Sequence, residues 1–309
     1  MSREVATAIA TGSVGNVGPG LDILGLALDG PADRVEIRRS GTPGLVVADS
    51  GHPELPADPE RHSSAIAARE VLRLAGAPGS FGAEIRVTKG LPLSGGQGGS
   101  AASAAAGAAA MNALLGDPLS PMQLVVAAIE AEATVAGRHA DNVAPSVLGG
   151  LVLVRSLSPL DLVRLPVPAA LHIVLAHPDQ RLRTAEGRAV LPASIPREVA
   201  LHQAAQVAAL VAGALLGDLR LLGRAIDDRI AEPSRSPLLP GFAAAKAAAL
   251  AAGALGCSIS GAGPTAFALV DDAGTADAVG AAMTGAYRAA GVESTVRVAR
   301  PNLEGVRIL

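Results

Sequence analysis

The sequence predicts an α+β protein of two domains, and three observations carry this prediction. The chain of 309 residues is long for one hydrophobic core, since single domains rarely grow beyond about 250–300 residues. Hydrophobic residues make up 50% of it, which supplies the apolar surface for large cores. Strand-like and helix-like segments are mixed along the chain without the regular alternation of α/β folds. We place the two domains at residues 1–160 and 161–309.

Composition excludes several kinds of partner. Aromatic residues make up 1% of the chain, too few for the stacking surfaces that bind single-stranded nucleic acid. The net charge is −3 without a long basic run, so we expect neither nucleic acid nor an anionic membrane as a partner. The longest apolar stretches without glycine reach about ten residues, half of a membrane span. Cys257 is the single cysteine, which fits a reducing cytoplasm, and residues 1–13 lack the features of a signal peptide.

Residue patterns predict the elements of the first domain. Alternation of polar and apolar residues indicates half-buried strands at 34–40 and 83–90, and a continuous apolar run indicates a buried strand at 149–156. A capping-box sequence at 120–123 opens a helix that is predicted over 120–137.

The second domain is predicted to begin with a buried strand at 171–178. Further predicted helices lie at 197–216, 218–231, 240–253 and 275–290, and further strands at 265–272 and 294–301. The proline-rich residues 156–168 are predicted to connect the two domains.

Residues 91–116 hold a glycine cluster directly before an alanine-rich run. Glycine is a poor helix former and alanine the best, so a helix is predicted to begin sharply here. Free N–H groups at a helix N-terminus suit a phosphate group, although a plain turn before a packed helix is the alternative. The common P-loop pattern G-x-x-x-x-G-K-[ST] does not occur. Gly96, Gly98 and Ala101 match a dinucleotide fingerprint, but a second helix follows instead of the strand that this motif requires.

Two more glycine-rich turns lie at 15–30 and 256–270, and a polar loop lies between them. This loop carries His139, Asp141 and Asn142 next to apolar strands. Titratable groups on such a loop indicate a candidate site, with an ordinary solvated loop as the alternative.

Taken in order, these stretches resemble the GHMP small-molecule kinases. Residues 92–101, PLSGGQGGSA, are similar to the family's loop P-x-x-x-G-L-G-S-S-A. The other matching stretches lie at 16–27, 139–150, 184–192, 230–242 and 257–265. The last four of them resemble the branch of the family that phosphorylates L-homoserine.

The resemblance implies ATP-dependent phosphorylation of L-homoserine to O-phospho-L-homoserine, on the path to threonine, by a homodimer. It also implies the two-domain GHMP kinase fold, with an N-terminal βαβ-type ATP domain and a C-terminal ferredoxin-like α/β sandwich. The family's β-α-β crossover is left-handed, an exception to the usual rule. The alternatives are a GHMP kinase for another small alcohol and a catalytically inactive GHMP-like binding protein.

The resemblance also assigns the nucleotide and metal sites. Glycines free the backbone amides to hold phosphates, and a hydroxyl and a carboxylate suit Mg²⁺. Ser100 and Glu132 resemble the family's Mg²⁺ ligands, with Glu130 as the alternative to Glu132. The implied ATP-binding residues are Ser63, Pro92, Leu93, Ser94, Gly95, Gly96, Gln97, Gly98, Gly99, Ser100, Ala101 and Ala102. Ser63 or His62 stands where the family has an adenosine-facing asparagine, and Gly99 where it has a first serine.

For the amino acid, a carboxylate requires an arginine fork and an ammonium requires an anion. Arg235 resembles the carboxylate clamp, and Asp22 resembles the partner of the ammonium. The full implied set is Asn16, Asp22, His139, Asn142, Thr184, Arg188, Arg235 and Gly261.

The predicted catalytic residues are Asp141, Asn142 and Asn16. Some members of the family use an aspartate near the position of Asp141 as a general base. Phosphoryl transfer has a loose transition state, however, and needs little proton removal before the new bond forms. We therefore predict that Asp141 mainly fixes its loop by hydrogen bonds while Asn142 orients the hydroxyl, with a general base as the alternative.

Overall fold

A computed structural model describes residues 3–77, 79–135 and 137–309. The first half of the chain contains strands β1 (Val5–Gly15), β2 (Leu24–Ser40), β3 (Gly44–Asp49), β4 (Gly82–Thr88), β5 (Leu151–Leu157) and β6 (Leu160–Leu165). Its helices are α1 (Ser63–Leu74), α2 (Gly99–Leu114), α3 (Pro121–Val135) and α4 (Val143–Leu148).

The second half contains strands β7 (His172–Pro178), β8 (Gly256–Ile259), β9 (Ala266–Val270), β10 (Ser294–Ala299) and β11 (Arg307–Ile308). Its helices are α5 (Thr184–Ala189), α6 (Arg197–Leu216), α7 (Leu219–Arg224), α8 (Ala231–Arg235), α9 (Phe242–Ala251) and α10 (Ala273–Ala289), with a 3₁₀ turn at Ser236–Leu238.

The first sheet has the order β11-β1-β2-β4-β3, and β5 pairs with β2 and with β6. The strand β2 is long enough to pair with β4 along its second part and with β5 along its first. The parallel pair β3–β4 is joined through α1, which gives the predicted βαβ unit. Helices α1 to α4 cover one face of this sheet and form its core.

Alanine and glycine allow the helices of this core to approach closely. Every residue of α2 from Ala101 to Leu114 is buried. At Gly107, a Cβ atom would lie 2.5 Å from the carbonyl oxygen of Ser64 in α1. This crossing therefore requires glycine, and the small side chains around it replace the missing aromatics as core material.

The second sheet has the order β10-β7-β9-β8 and is antiparallel throughout. One face packs on α9 and α10 around Phe242 and Tyr287. On the other face, Phe267 packs with α6 and with Leu24 and Leu26 of the first sheet. Successive strand residues face opposite sides, so each strand of this sheet serves both cores. The architecture is the predicted α+β fold of two packed layers.

Two predictions about elements were wrong. The expected connector 156–168 carries β6, which forms a hairpin with β5 because its prolines lie outside the paired strand. The expected helix 218–231 ends at Arg224. After it, the Asp228 carboxylate accepts backbone N–H groups of the next residues and starts α8, so two short helices replace one.

The sheets also bear on the domain division. The predicted boundary falls at the first residue of β6, whose partner strand belongs to the first sheet, and β11 returns to β1. A division that followed the sheets would lie after Leu165. The division into 1–160 and 161–309 stays a prediction.

Among the described residues, α6 alone has the length and hydropathy of a membrane-spanning helix. The Gln203 amide donates to Pro19 O and to Asp228 Oδ1, at 2.8 and 2.9 Å, and Leu210 and Ala214 pack into the core shared by the sheets.

Candidate active site

A cavity of about 370 Å³ lies where the two halves of the chain meet, and this volume suits a small-molecule ligand. Its wall combines the glycine-rich loop with residues from both halves. The predicted site residues on this wall are Ser63, Pro92, Leu93, Ser94, Gly95, Gly96, Gly98, Gly99, Ser100, Glu132, His139, Asn142, Thr184 and Gly261.

The backbone of the loop depends on its glycines. Gly96 and Gly98 have φ angles of 71° and 69°, in the left-handed region. A Cβ atom on Gly98 would lie 2.2 Å from Ser13 Oγ. Gly98 is the N-cap of α2 and provides no side-chain cap, so the first amides of α2 keep their donors for a ligand. Gly99 differs, because the nearest atom to its Cβ would be 3.5 Å away, and a side chain would fit there.

Two hydroxyls of the second half hold this loop. Ser260 Oγ donates to Gly96 O at 2.6 Å, and Thr265 Oγ1 donates to Gly95 O at 2.5 Å. In a trans peptide the C=O group and the following N–H group point in opposite directions. Fixing these two carbonyls towards the second half therefore fixes the directions of the next two N–H groups. We call Ser260 and Thr265 the hydroxyl clasp.

The Thr265 hydroxyl is saturated with hydrogen bonds. Besides donating to the loop, it is 2.9 Å from His177 Nδ1 and accepts from Gln97 Nε2 at 3.3 Å. Gln97 Oε1 in turn accepts from Arg297 at 3.2 Å. Because a hydroxyl has one proton and two lone pairs, its proton is directed to Gly95 O.

A lysine next to the loop is held by a buried aspartate. Lys89 Nζ forms an ion pair with Asp33 and donates to Gly99 O at 3.2 Å and to Ser103 Oγ at 3.0 Å. Asp33 also accepts the backbone N–H groups of Gly90 and Leu91. This arrangement places the Lys89 ammonium, paired with Asp33, on the cavity wall beside the N-terminus of α2.

Ser100 and Glu132 meet on the wall from neighbouring helices, α2 and α3. Ser100 Oγ donates to Glu132 Oε2 at 2.9 Å. Burial raises the pKa of the Glu132 carboxyl above its ordinary value, while His139 and Ser100 act in the opposite direction. Within the described residues Glu132 forms no ion pair. Its rival Glu130 is instead paired with Arg138 at 2.7 Å.

The turn after β1 joins the two halves at the site. Asn16 has a φ of 67°, and its backbone N–H donates to Asp141 Oδ2 at 3.0 Å. Its side chain donates to Gly261 O at 3.0 Å and accepts the backbone N–H of Asp22 at 3.1 Å. One asparagine therefore ties three separate segments together.

Charged groups of both signs lie side by side here. Arg188 forms a bidentate pair with Asp22, at 2.5 and 3.2 Å. Arg235 is buried and donates through Nε to Gly187 O and through Nη1 to Gly261 O, both at 2.9 Å. Burial and the nearby Arg188 lower the pKa of Arg235. Its Nη2 forms no hydrogen bond with any described residue, so one edge of the guanidinium keeps its donors.

The polar loop of the sequence brings its residues together as expected. Asp141 Oδ2 accepts from Asn16, and Oδ1 is buried without a hydrogen bond in the described part of the chain, 3.6 Å from His139 Nδ1. Burial raises the pKa of Asp141, and His139 opposes this shift. The Asn142 amide accepts from Ser13 Oγ at 2.9 Å. Asp22, His139 and Asp141 each place one ligand atom within 4.8 Å of the others, a set that suits a cation.

Some predicted residues lie off the wall, and some residues of the site were not predicted. Gln97 points to the hydroxyl clasp, and Ala101 and Ala102 are buried within the core. Five other predicted residues do not line the cavity but lie behind Gly261 and Asn142, which do, and are joined to them or to one another by hydrogen bonds. These five are Asn16, Asp22, Asp141, Arg188 and Arg235. Sequence reasoning missed Lys89, Ser260 and Thr265. The only sequence signal for Lys89 was a lysine directly before the loop.

Comparison with known proteins agrees with this architecture. Residues 63–150 match the family model of the GHMP kinases N terminal domain, and residues 207–289 match that of the GHMP kinases C terminal domain. The fold and the loop thus define a GHMP-type kinase.

Relatives that cover nearly all of this chain identify its branch within the GHMP-type kinases. A homoserine kinase of Chlorobium phaeovibrioides is 46% identical over 313 residues, covering 97% of this chain and 98% of that protein. The homoserine kinase of Arabidopsis thaliana is 43% identical, with coverage of 97% and 83%. The crystal structure of homoserine kinase from Cytophaga hutchinsonii superposes with a TM-score of 0.95 at 42% identity, covering 100% of this chain and 98% of that one. The chain belongs to the homoserine kinases of the GHMP family.

Proposed function

We propose that this chain transfers the γ-phosphoryl group of ATP to the hydroxyl of L-homoserine, giving O-phospho-L-homoserine and ADP. The observation that carries the proposal is the arrangement of Asp22, Asp141, Arg188 and Arg235 beside the glycine-rich loop. A zwitterionic amino acid needs both signs of charge within a few ångströms, and a neutral sugar does not.

The substrate's charges match groups that are already paired. Its ammonium takes a place near Asp22 and Asp141, and its carboxylate takes the free edge of Arg235 and the fork of Arg188. Asp22 and Arg188 are thus proposed to exchange part of their mutual ion pair for contacts with the substrate. Thr184 and Gly261 lie on the same wall, and His139 has a ring nitrogen within 4.8 Å of both carboxylates.

Phosphate binding is proposed for the loop 92–100 and the first amides of α2. The free N–H groups there suit the β- and γ-phosphates, and Lys89 adds a positive charge beside them. Catalysis then consists mainly of positioning and charge neutralisation, as is typical of phosphoryl transfer.

Ser100 and Glu132 fit a magnesium ion. They offer a hydroxyl and a carboxylate oxygen 2.9 Å apart, and the buried carboxylate forms no ion pair with the described residues. When bound there, Mg²⁺ would neutralise charge on the phosphate oxygens.

Asp141 is proposed to have a mainly structural role. One of its oxygens holds the backbone of Asn16 and so connects its loop to β1. Asn142, held by Ser13, is proposed to orient the attacking hydroxyl. A general-base role for the other oxygen is the alternative, and its burial without a hydrogen bond among the described residues favours that view.

A homodimer and a cytoplasmic location remain predictions. The outer face of α6 supports the dimer, because Leu201, Leu215 and Leu216 are 64%, 62% and 75% exposed. A second copy packed there would cover them. Light scattering of the protein beside a Leu201→Glu, Leu215→Glu variant tests this: loss of a dimer in the variant supports the face.

The function is tested by ADP release with a panel of alcohols that includes L-homoserine, mevalonate and galactose. We expect turnover with L-homoserine far above that with the others, together with O-phospho-L-homoserine as the product in phosphorus NMR. Preference for mevalonate or galactose supports the alternative GHMP kinase, and absence of turnover with every alcohol supports the inactive binding protein.

A further inference from the structure

Part of the cavity wall has the character of a purine site without a side chain that selects adenine. This wall comes from the connection between β3 and α1, together with Leu93 and Val135. We call these residues the base wall: Leu55, Pro56, Arg61, Ser63, Leu93 and Val135. Val135 is 48% exposed although it is a large hydrophobic residue, so it offers an apolar contact to a ligand. Other parts of the wall carry the loop together with Lys89, Ser100, Glu132, His139 and Asn142, which are assigned above to the phosphates, the metal ion and the substrate. This part is therefore left for the base of the nucleotide.

The polar side chains of the base wall differ in what they can recognise. Ser63 is the first residue of α1, and its hydroxyl forms no hydrogen bond with the described residues. A hydroxyl rotates and can donate or accept, so it bonds equally well to an amino group or to a carbonyl oxygen. Ser63 therefore provides contact without discrimination between the two.

His62 is adjacent but has no nitrogen left for a base. Its Nδ1 accepts the backbone N–H of Ser64 at 3.3 Å, and its Nε2 lies 3.3 Å from Ser50 O. It is buried and caps α1. The nearby Glu54 carboxylate is also engaged, because Arg181 donates to both of its oxygens, at 3.0 and 2.8 Å. His62 therefore has no acceptor left for the amino group of adenine, and Glu54, which is exposed and paired with Arg181, lies outside the base wall.

Arg61 is the side chain that can discriminate. Within the described residues its guanidinium forms no hydrogen bond and no ion pair, although it lies on the wall. Guanidinium groups donate only. A 6-oxopurine offers two adjacent acceptors, O6 and N7, which an arginine fork can bind together, whereas adenine offers N7 beside an amino donor. The free fork thus favours guanine or hypoxanthine over adenine at this position.

We propose that the nucleotide site accepts 6-oxopurine triphosphates as well as ATP, with Arg61 as the residue that determines the use of GTP. The inference rests on the proposed function, since it concerns the donor of the same reaction. The γ-phosphoryl group of GTP passes to the homoserine hydroxyl, the bond to the β-phosphate oxygen breaks, and GDP leaves with the proton released to solvent.

The test compares kcat/KM for ATP, GTP and ITP at saturating L-homoserine. We expect the GTP and ITP values to lie within about tenfold of the ATP value, and a larger preference for ATP overturns the proposal. The Arg61→Met variant should lose GTP use by roughly 5- to 150-fold while ATP use changes little, which is the discrimination that one bidentate arginine–guanine contact provides. Equal losses for both nucleotides also overturn it.

Two further variants isolate the cause. Arg69→Met makes the same substitution on α1 at an arginine that pairs with Glu60 and lies off the wall, and it should change neither value. Ser63→Asn introduces an amide that can bind adenine N6 and N7 together, so it should shift the preference towards ATP. If no triphosphate supports phosphoryl transfer, the proposed function itself fails, which separates that outcome from failure of this inference.

Discussion

The two ends of the cavity differ in whether their polar side chains are already hydrogen-bonded within the protein. Behind the wall at the amino-acid end lie buried charged and amide groups, such as Asp141, Arg235 and Asn16. Hydrogen bonds join them across segments far apart in the chain, because Asn16 bonds Asp141 and both Asn16 and Arg235 donate to Gly261 O. The base wall uses apolar side chains and two polar groups, Ser63 and Arg61, that have no partner among the described residues.

This difference indicates which of the two substrates is expected to be selected strictly. A site with fixed, desolvated polar groups rejects a ligand that leaves one of them unpaired, because an unsatisfied buried group is costly. A site of apolar contacts and rotating or solvated groups gives binding energy with little discrimination. We therefore expect strict choice of the acceptor and tolerant choice of the donor base.

The largest expected effect is at the amino-acid end. Arg235→Leu should weaken L-homoserine binding by about 2–5 kcal/mol, because the substrate carboxylate would be buried without its partner. Affinity for ATP should barely change. Calorimetric titration with each ligand measures both values.

The matched control is Arg229→Leu, six residues earlier on an exposed side chain that pairs with Asp227. It should bind both ligands normally. Equal losses of both ligands in the Arg235 variant would indicate a folding defect and contradict the clamp.

The next effect concerns Ser100 and Glu132, the proposed magnesium ligands. Glu132→Gln should lower kcat by about 10²–10³-fold, the usual loss when one group that stabilises transition-state charge is removed. Glu130→Gln, on the same helix but paired with Arg138, is the control and should keep normal turnover. Near-normal turnover in the Glu132 variant, with unchanged dependence on magnesium, contradicts the assignment.

Stability provides a second readout of Glu132. Because burial raises its pKa, the folded protein keeps the proton at pH values where the unfolded chain has lost it. The stabilisation is present below the unfolded pKa and is lost as pH rises through the folded pKa. Without a metal ion, Glu132→Gln should therefore melt no lower than the parent above that range, which separates a catalytic loss from unfolding.

A smaller effect is expected at the hydroxyl clasp. Thr265→Val keeps the side-chain shape but removes the hydroxyl that donates to Gly95 O, which leaves only the longer bond from the Thr265 backbone N–H at 3.4 Å. We expect ADP affinity to fall by about 5- to 150-fold, as one lost buried hydrogen bond costs. Adenosine affinity should stay unchanged, because only the phosphate amides are disturbed. Thr265→Ser should restore ADP binding. An equal loss of adenosine would instead indicate general damage to the fold.

The smallest effect is expected at Asp141. Asp141→Asn keeps the shape and most hydrogen bonds, so kcat should fall by less than about a hundredfold, below most of the range for general-base catalysis. Stopped-flow turnover, with melting temperature and L-homoserine affinity as controls, measures this. A larger fall with both controls unchanged would make Asp141 the base.

Local signals in the sequence were sufficient for much of the fold. The predicted helix 197–216 has the bounds of α6, and the predicted strand 171–178 differs from β7 by one residue. Long apolar runs and capping residues act through neighbours in the chain, so they can be read without the tertiary structure.

Features that depend on distant contacts could not be predicted in this way. The start of α8 relies on Asp228, which is itself held by Gln203 from another helix. Val17 has a φ of 48°, a conformation that β-branched residues avoid, and it is kept there by burial in the shared core. The clasp from Thr265 to Gly95 joins positions 170 residues apart.

Scarcity of aromatic side chains has a practical consequence for watching this protein at work. The chain has no tryptophan, and Tyr287, its one tyrosine, lies on α10, packs against α9 and is 1% exposed. Its native fluorescence is therefore faint and indifferent to events in the cavity. A single indole introduced as Val135→Trp would be the sole strong emitter, would form part of the base wall, and would report nucleotide binding without background from the rest of the molecule.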